Sequence, residues 1–316
     1  MKKIKLLGIP FEFGQDHSGV ALAASHLRKN GLLKRLASFT EVDDLGDIKF
    51  TEKKKDYIRD GVKFLDEVSQ ANLLISDKIS NLDLQDSFLL NIGGDHGMAL
   101  GSVHGVLEHH PDSVVIWADA HGDINTPSCS PSGNFHGMPV AYLMKIAKQP
   151  EFAWIRNRLL PEKLILIGPR DLDEGEVELI QRYNIQYFSS DDVNRIGSKE
   201  ILEMALHRAD PQGVYPIHLS FDVDFCDELD VSSTGTRVAN GPHLEEVFLL
   251  GGLLAETGRL KSMDVVEFNP LIGNDKEVRA SGDLTLDFIE ATMKHVFSQN
   301  DISLHYLENV SHSQFA

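Results

Sequence analysis

Short apolar runs alternate with amphipathic segments along the whole chain, and this order restricts the fold more than any other feature. Strands are predicted where β-branched or bulky apolar residues cluster, at residues 4–10, 39–45, 88–92, 114–117, 164–167, 186–188, 217–223 and 262–266. Helices are predicted between them, at residues 22–36, 54–68, from near 98 onward, 138–147, 175–183, 199–209, 244–255 and 284–297. This alternation indicates an α/β fold whose sheet is mostly parallel and covered by helices. An open sheet and a closed eight-stranded barrel both fit the pattern.

Length and composition exclude several classes of protein. No Pro/Gly/Ser-rich linker or internal repeat interrupts the chain, so residues 1–316 are predicted to form one domain. The net charge of −18, with acidic residues spread along the chain, argues against a nucleic-acid or anionic-membrane partner. The longest apolar run, residues 247–255, is about half as long as a membrane span. Only Cys129 and Cys226 are present, so no disulfide framework is expected and a cytoplasmic location fits best.

Side chains of the metal-binding type follow three of the predicted strands. They are His96 after residues 88–92, then Asp119, His121 and Asp123 after residues 114–117, and Asp222 and Asp224 at the end of residues 217–223. Alternate positions in an extended chain place side chains on one side, and parallel strands end at one edge of a sheet. Two histidines and four aspartates are too many for one ion and suit two ions that share carboxylates. Oxygen-rich ligands without thiolate favour manganese or magnesium over structural zinc.

Each of these residues also has an ordinary structural explanation. Taken alone, His96 could be a buried loop residue, and Asp222 or Asp224 could cap the next segment. Glu267, at the end of a predicted strand, could form a salt bridge, and Asp173 could cap a helix. Three ligand-rich segments that each directly follow an apolar strand are harder to attribute to capping, so the metal-site interpretation is preferred.

The same segments resemble the ureohydrolase family, and within it the arginases. The resemblance extends over essentially the whole chain, through the motifs GGDHG, DAHGDIN, SGNFHG, GPRDLDEGE, SFDVD, GTRV and VEFNP. Residues 125–137 match the loop NTPxxxxSGNxHG, which agmatinases and other ureohydrolases do not share. The resemblance implies a three-layer α-β-α fold with an open, mostly parallel eight-stranded sheet, as in arginases and related deacetylases. It also implies a homo-oligomer, either a trimer or a hexamer.

The resemblance further implies two Mn²⁺ ions and hydrolysis of L-arginine to urea and L-ornithine by a hydroxide held between the ions. One ion would be held by His96, Asp119, Asp123 and Asp222, and the other by His121, Asp119, Asp222 and Asp224. The substrate carboxylate would be bound by Asn125, Ser132 and Asn134, and its α-ammonium group by Asp173 and Glu176. Glu267 would pair with the guanidinium beside Thr236. Asp123 and His136 would transfer protons during the reaction. His136 could also be a simple surface-loop residue.

Other functions remain open at the level of sequence. The protein could hydrolyse another guanidino compound, or it could be a metal-binding homologue without turnover. A deacetylase of related fold is disfavoured, because the amino-acid-binding loop would then have no purpose. The chain departs from arginases at Phe225-Cys226-Asp227-Glu228, where Gly-Leu-Asp-Pro is usual, and at Arg237, which replaces a proline. These changes leave the backbone course of residues 225–241 in doubt, and Arg237 beside the pocket could lower the affinity for a cationic side chain.

Overall fold

The computed structural model describes residues 1–51 and 57–312, with side chains through residue 298. The strands are β1 (Lys3–Ile9), β2 (Glu41–Asp47), β3 (Ile58–Arg59), β4 (Val62–Lys63), β5 (Ser87–Gly93), β6 (Val114–Ala118), β7 (Leu164–Gly168), β8 (Gln186–Ser189), β9 (Ile217–Asp222) and β10 (Leu260–Val266). The helices are α1 (Ala23–Lys29), α2 (Leu32–Leu36), α3 (Leu65–Ser80), α4 (Ala99–His109), α5 (Pro139–Leu143), α6 (Glu174–Arg182), α7 (Ser190–Ile196), α8 (Ser198–Ala209), α9 (Leu244–Glu256) and α10 (Asp275–His312).

Eight of the strands form one open parallel sheet in the order β2-β1-β5-β10-β9-β6-β7-β8. Helices cover both faces, so the three-layer α-β-α prediction is confirmed and the barrel alternative is wrong. β6 shows how the sequence separates the layers, because successive side chains of a strand point to opposite faces. Val114 and Ile116 belong to one apolar core, and Val115 and Trp117 belong to the other.

Helix α4 packs closely on α3 because it carries glycine at the contact. A Cβ on Gly101 would lie 2.4 Å from the backbone oxygen of Asn72, well inside van der Waals distance. The Gly101 N–H instead donates to Asn72 Oδ1 at 2.7 Å. This contact fixes α3 against α4, whose preceding loop carries His96.

The helix predicted at residues 54–68 is correct at residues 65–68 and wrong at residues 57–64, and residues 54–56 lie outside the described ranges. β3 and β4 form an antiparallel hairpin in which Asp60 and Gly61 both have positive φ. An Asp-Gly pair with this geometry is typical of a type I′ hairpin turn, so the signal was present in the sequence. The helix α3 begins only at Leu65.

Two other predicted helices are divided or shortened, and the helix predicted at residues 284–297 is part of the longer α10. The helix predicted at residues 22–36 is divided into α1 and α2 by Gly31, whose φ of 103° is incompatible with a continuous right-handed helix. The helix predicted at residues 138–147 is limited to α5, five residues long. Within the described ranges, no helix combines the length and apolar character required to cross a bilayer.

Candidate metal centre

The predicted site residues gather at the carboxyl ends of five neighbouring strands, β5, β10, β9, β6 and β7. A cavity of about 130 Å³ opens there. All of the predicted site residues line this cavity except Asp119 and Asp224. The predicted residues in the lining are His96, His121, Asp123, Asn125, Ser132, Asn134, His136, Asp173, Glu176, Asp222, Thr236 and Glu267. Three further residues line it that the sequence reasoning missed, namely Ser130, Gly137 and Asp171.

His96 lies at the centre of the first cluster of ligand-type side chains. Its Nδ1 atom is 2.8 Å from Asp119 Oδ2, 3.0 Å from Asp123 Oδ2 and 3.2 Å from Asp222 Oδ2. Its Nε2 atom lies 2.8 Å from Ser220 Oγ. The ring stacks on Trp117 with centroids 4.2 Å apart. When Nε2 donates to Ser220, the lone pair of Nδ1 faces three carboxylates.

His121 lies at the centre of a second cluster that shares Asp119 with the first. Its Nδ1 atom is 3.3 Å from Asp119 Oδ1 and 3.3 Å from Asp224 Oδ2. Asp171 Oδ2 lies 3.9 Å from its Nε2 atom. Ligand atoms within each of the groups His96–Asp119–Asp123 and Asp119–His121–Asp224 lie within 4.8 Å of one another. The two groups therefore offer adjacent positions for metal ions with one carboxylate in common.

Turns, rather than the strand alternation that the sequence suggested, bring these side chains together. β6 ends at Ala118, and residues 119–123 follow as an irregular bend in which Asp123 has a φ of 51°. A left-handed backbone at a non-glycine residue is uncommon and is concentrated at functional sites. Asp222 is the last residue of β9, and Asp224 lies in a single 3-10 turn that follows.

The donor set fits divalent metal ions. Neither His96 Nδ1 nor Asp123 Oδ2 has a hydrogen-bond partner among the residues that the structure describes, although both atoms are buried. Burial and the charges of Asp224 and Asp119 raise the pKa of Asp222 well above its usual value. The surrounding carboxylates outweigh burial and raise the pKa of His96. Both shifts show that the cluster favours added positive charge, which bound cations would supply.

Glu267 lies buried on the other side of His96, at the end of β10. Its carboxylate accepts from Gln15 Nε2 at 2.5 Å and from the His96 backbone N–H at 2.8 Å, and His136 Nδ1 lies 3.2 Å away. Burial alone would lower the pKa of His136, but its contact with Glu267 raises it to about 9. Hydrogen bonding to His136 likewise keeps the pKa of Glu267 low despite burial. Glu267 is therefore an anion aimed into the cavity.

The outer part of the cavity is formed by residues 125–137 and by the start of α6. Asn125 Nδ2 donates to Asp173 Oδ2 at 2.8 Å, which joins the two predicted substrate-binding segments. Asp173 is the N-cap residue of α6, and its N–H donates to Glu176 Oε2 at 3.0 Å. Burial raises the pKa of Glu176 to about 8, so this carboxyl is largely protonated at neutral pH.

Ser132 and Asn134 lie at the rim of the same cavity. Ser132 Oγ accepts from the Asn134 N–H at 3.1 Å. The hairpin that the sequence reasoning missed supports this loop, because Lys63 N–H donates to the Gly133 carbonyl at 2.9 Å. Lys63 Nζ also contacts Asp16 at 2.6 Å, which ties the hairpin to the segment after β1.

The atypical segment after β9 reaches the cavity through Thr236 only. Thr236 Oγ1 donates to Asp224 Oδ2 at 3.1 Å, so it touches a predicted metal ligand. Arg237 is exposed and does not line the cavity. The expectation that Arg237 weakens binding of a cationic side chain is therefore not supported, because its side chain faces solvent.

Comparisons with known proteins agree with this arrangement. The Arginase family model matches residues 2–290. Arginase-2, mitochondrial, of Rattus norvegicus is 35% identical over 316 residues, covering 98% of this chain and 89% of that protein. An arginase of Staphylococcus aureus strain MRSA252 is 38% identical over 278 residues, covering 87% of this chain and 92% of that protein.

Among solved structures, Entamoeba histolytica arginase in complex with L-ornithine superimposes with a TM-score of 0.84 and 32% identity. The match covers 93% of this chain and 99% of that one. The sequence match, the shared fold and the paired His/Asp clusters at one sheet edge lead to one conclusion: the chain belongs to the arginase family.

Proposed function

We propose that this protein hydrolyses the guanidinium group of L-arginine to give urea and L-ornithine. The strongest support is the arrangement of the charged side chains. Two His/Asp groups that have Asp119 in common lie at the same cavity as a buried glutamate, Glu267. The related Entamoeba histolytica arginase was solved with L-ornithine, the product of this reaction.

We propose Mn²⁺ as the metal, with two ions per chain. His96, Asp119, Asp123 and Asp222 would hold one ion, and His121, Asp119, Asp222 and Asp224 the other. A pair of divalent ions lowers the pKa of water and so supplies a strong nucleophile at neutral pH. The chain's own task is to orient these ligands. The Trp117 indole N–H and the His121 backbone N–H do so for Asp119, at 3.1 and 2.8 Å.

Glu267 binds the guanidinium in this proposal. A guanidinium presents planar N–H donors that match a carboxylate, and a buried charge-assisted pair is stronger than a neutral one. Gln15 and the His96 N–H hold the Glu267 carboxylate in place before substrate arrives. Thr236 lines the same cavity and donates to Asp224, so in this proposal it limits where the reacting carbon can be placed.

Proton transfer is assigned to Asp123 and His136. Both side chains line the cavity, on the two sides of His96. With its pKa raised to about 9, His136 is protonated at neutral pH and can deliver a proton to the leaving amine. Asp123 Oδ2 faces His96 Nδ1 at 3.0 Å and would bind metal, which leaves the other carboxylate oxygen to accept a proton from the attacking water.

Recognition of a free amino acid needs neutral donors for its carboxylate and an anion for its ammonium group. Asn125, Ser132 and Asn134 supply the donors at the rim, and Asp173 supplies an anion next to Asn125. Glu176 supports Asp173 by accepting its N–H. This pairing favours an α-amino acid over a decarboxylated amine.

The test is urea production from L-arginine and from agmatine, each with and without added manganese. Agmatine lacks the carboxylate, so we expect manganese-dependent urea from arginine and at least tenfold less from agmatine. No urea from arginine with any divalent metal would refute the proposal. A panel of guanidino acids run in parallel would identify a different preferred substrate, and a metal content near zero after loading would favour a homologue without turnover.

The proposal also covers assembly and location. From the family resemblance we propose a homo-oligomer, a trimer or a hexamer, which light scattering during gel filtration would distinguish from a monomer. The two free cysteines, Cys129 and Cys226, fit a reducing cytoplasm, and cell fractionation would test this.

A further inference from the structure

Arg170 connects three strand ends behind the candidate metal centre. It follows β7, and its backbone N–H donates to the Ala120 carbonyl at 2.8 Å. Ala120 lies between Asp119 and His121, and its own N–H donates to Asp224 Oδ1 at 3.2 Å. The backbone of Arg170 is thus attached to the bend that carries two of the predicted ligands.

The Arg170 side chain is bound to backbone carbonyls of the segment after β9. Nη2 donates to the carbonyls of Asp224, Cys226 and Val238 at 2.7, 2.9 and 2.9 Å. Nη1 donates to Phe225 at 3.2 Å and to Gly168 at 3.3 Å, and Nε donates to Ala239 at 3.1 Å. A guanidinium has five N–H bonds, so all of its donors are engaged and one of them is shared. No ion pair of Arg170 is recorded within the described part of the chain.

The ends of the segment held in this way are joined by Arg170 and, separately, by the Gly241 N–H, which donates to Asp227 Oδ2 at 2.8 Å. Residues 225–241 contain no proline, and beyond the turn at residues 223–225 they form no helix or strand. Arg170 joins the start of the segment, at residues 224–226, to its end, at residues 238–239, and Thr236 lies between these two points. A lysine has one nitrogen at the end of a flexible chain and cannot bridge both ends of the segment.

We propose that Arg170 is a positioning residue that sets Asp224 and Thr236 in place, and thereby forms the metal position built from His121 and Asp224. This inference rests on the proposed two-ion hydrolase. It predicts a selective defect, because the position built from His96, Asp119 and Asp123 is formed by segments that the Arg170 side chain does not touch.

The experiment compares full-length wild type with Arg170→Lys after manganese loading, by metal content and by electron paramagnetic resonance. Two Mn²⁺ ions that share ligands give a spin-coupled spectrum, and a single ion gives an isolated six-line spectrum. We expect Arg170→Lys to keep one ion and to bind the other about tenfold to a hundredfold more weakly, as for other residues that support metal ligands. The spectrum should change accordingly from the coupled to the isolated form.

Arg259→Lys is the matched control. Arg259 is also a partly buried arginine whose guanidinium contacts Asp210 and the Tyr215 carbonyl, but it lies next to the amino-terminal start of β9. We expect this variant to lose thermal stability and to keep the coupled spectrum. The inference is overturned if Arg170→Lys binds both ions like wild type, if it loses both equally, or if Arg259→Lys loses the same ion.

A measurement on wild type covers the case in which Arg170→Lys does not fold. If Arg170 positions the segment in advance, the backbone amides of residues 226–231 should resist hydrogen exchange before manganese is added. Rapid exchange there in the metal-free protein would overturn the inference. Wild type that binds two ions without forming urea would refute the proposed substrate and leave the role of Arg170 intact.

Discussion

Asp119 contacts both histidines of the candidate metal centre, because its two carboxylate oxygens point in different directions. Oδ2 faces His96 and Oδ1 faces His121. A side chain in this position can bridge two cations, whereas each histidine can serve only one of them. Substitution of one histidine should therefore weaken metal binding in its own cluster and leave the other cluster able to bind an ion.

His121→Asn is expected to remove one of two bound manganese ions and to lower the rate on the order of a hundredfold. The fold should persist, because His121 lies in an irregular bend and its side chain is 22% exposed. Metal analysis, turnover and circular dichroism of the variant check this. His243→Asn is the control, since His243 is exposed and precedes α9. Unchanged turnover in His121→Asn would show that the ligand assignment is wrong.

Glu267→Gln is expected to raise KM for arginine by roughly tenfold to a hundredfold. The substitution removes a charged partner worth about 1.5–3 kcal/mol while it keeps the size of the side chain. Steady-state kinetics give the result, with Glu203→Gln on the exposed side of α8 as the control. An unaltered KM would mean that the guanidinium binds elsewhere in the cavity.

At the scale of elements, close contacts between helices depend on single glycines. Gly101 in α4 and Gly252 in α9 both lie inside helices, but only Gly101 faces a neighbouring backbone. A Cβ on Gly252 would meet nothing nearer than the His295 ring at 3.6 Å, an ordinary contact distance. The same substitution should therefore have opposite effects at the two positions.

Gly101→Ala is expected to lower the free energy of unfolding by about 1–3 kcal/mol, because α4 must move away from α3. Gly252→Ala should be neutral or stabilising by up to about 1 kcal/mol, since alanine has the higher helix propensity. Urea denaturation of both variants provides the comparison. Equal changes at the two sites would contradict the packing explanation.

Most strands of the main sheet were predictable because they are compact apolar runs, with β2, EVDDLGD, as an exception, and the site was predictable where ligands follow such runs directly. The break at Gly31 and the hairpin around Asp60-Gly61 were missed, because the apolar spacing on either side suits a helix while positive φ angles interrupt it. Arg170 was also missed as a support. Apart from Gly168, its partners are carbonyl groups 54–69 residues away, and backbone carbonyls leave no mark in a sequence.

At the scale of the whole molecule, metal binding and stability should be linked. Several buried carboxylates meet at one edge of the sheet, and without cations they repel one another. Metals that bind only the folded state add to its stability by mass action. The cluster lies on the four central strands, so this effect should extend to the whole sheet.

Manganese at a hundredfold excess over Kd is expected to stabilise the protein by about 2.7 kcal/mol per ion, and a chelator should reverse the effect. Calorimetry at increasing manganese concentration measures the change in Tm. The Tm of His121→Asn should rise less with manganese than the Tm of wild type, because the variant retains fewer metal ligands. A Tm independent of manganese in wild type would contradict metal binding at these carboxylates.

The position of β10 in the sheet has a consequence for synthesis. β10 is the last strand in the part of the chain that the structure describes, yet it lies between β5 and β9. A nascent polypeptide that has not yet emerged past residue 266 leaves both neighbours with a bare edge in the middle of the sheet, where aggregation begins most easily. Residues up to 266 must therefore leave the ribosome before the central sheet can close, and C-terminal truncations that remove this strand should be insoluble rather than partly active.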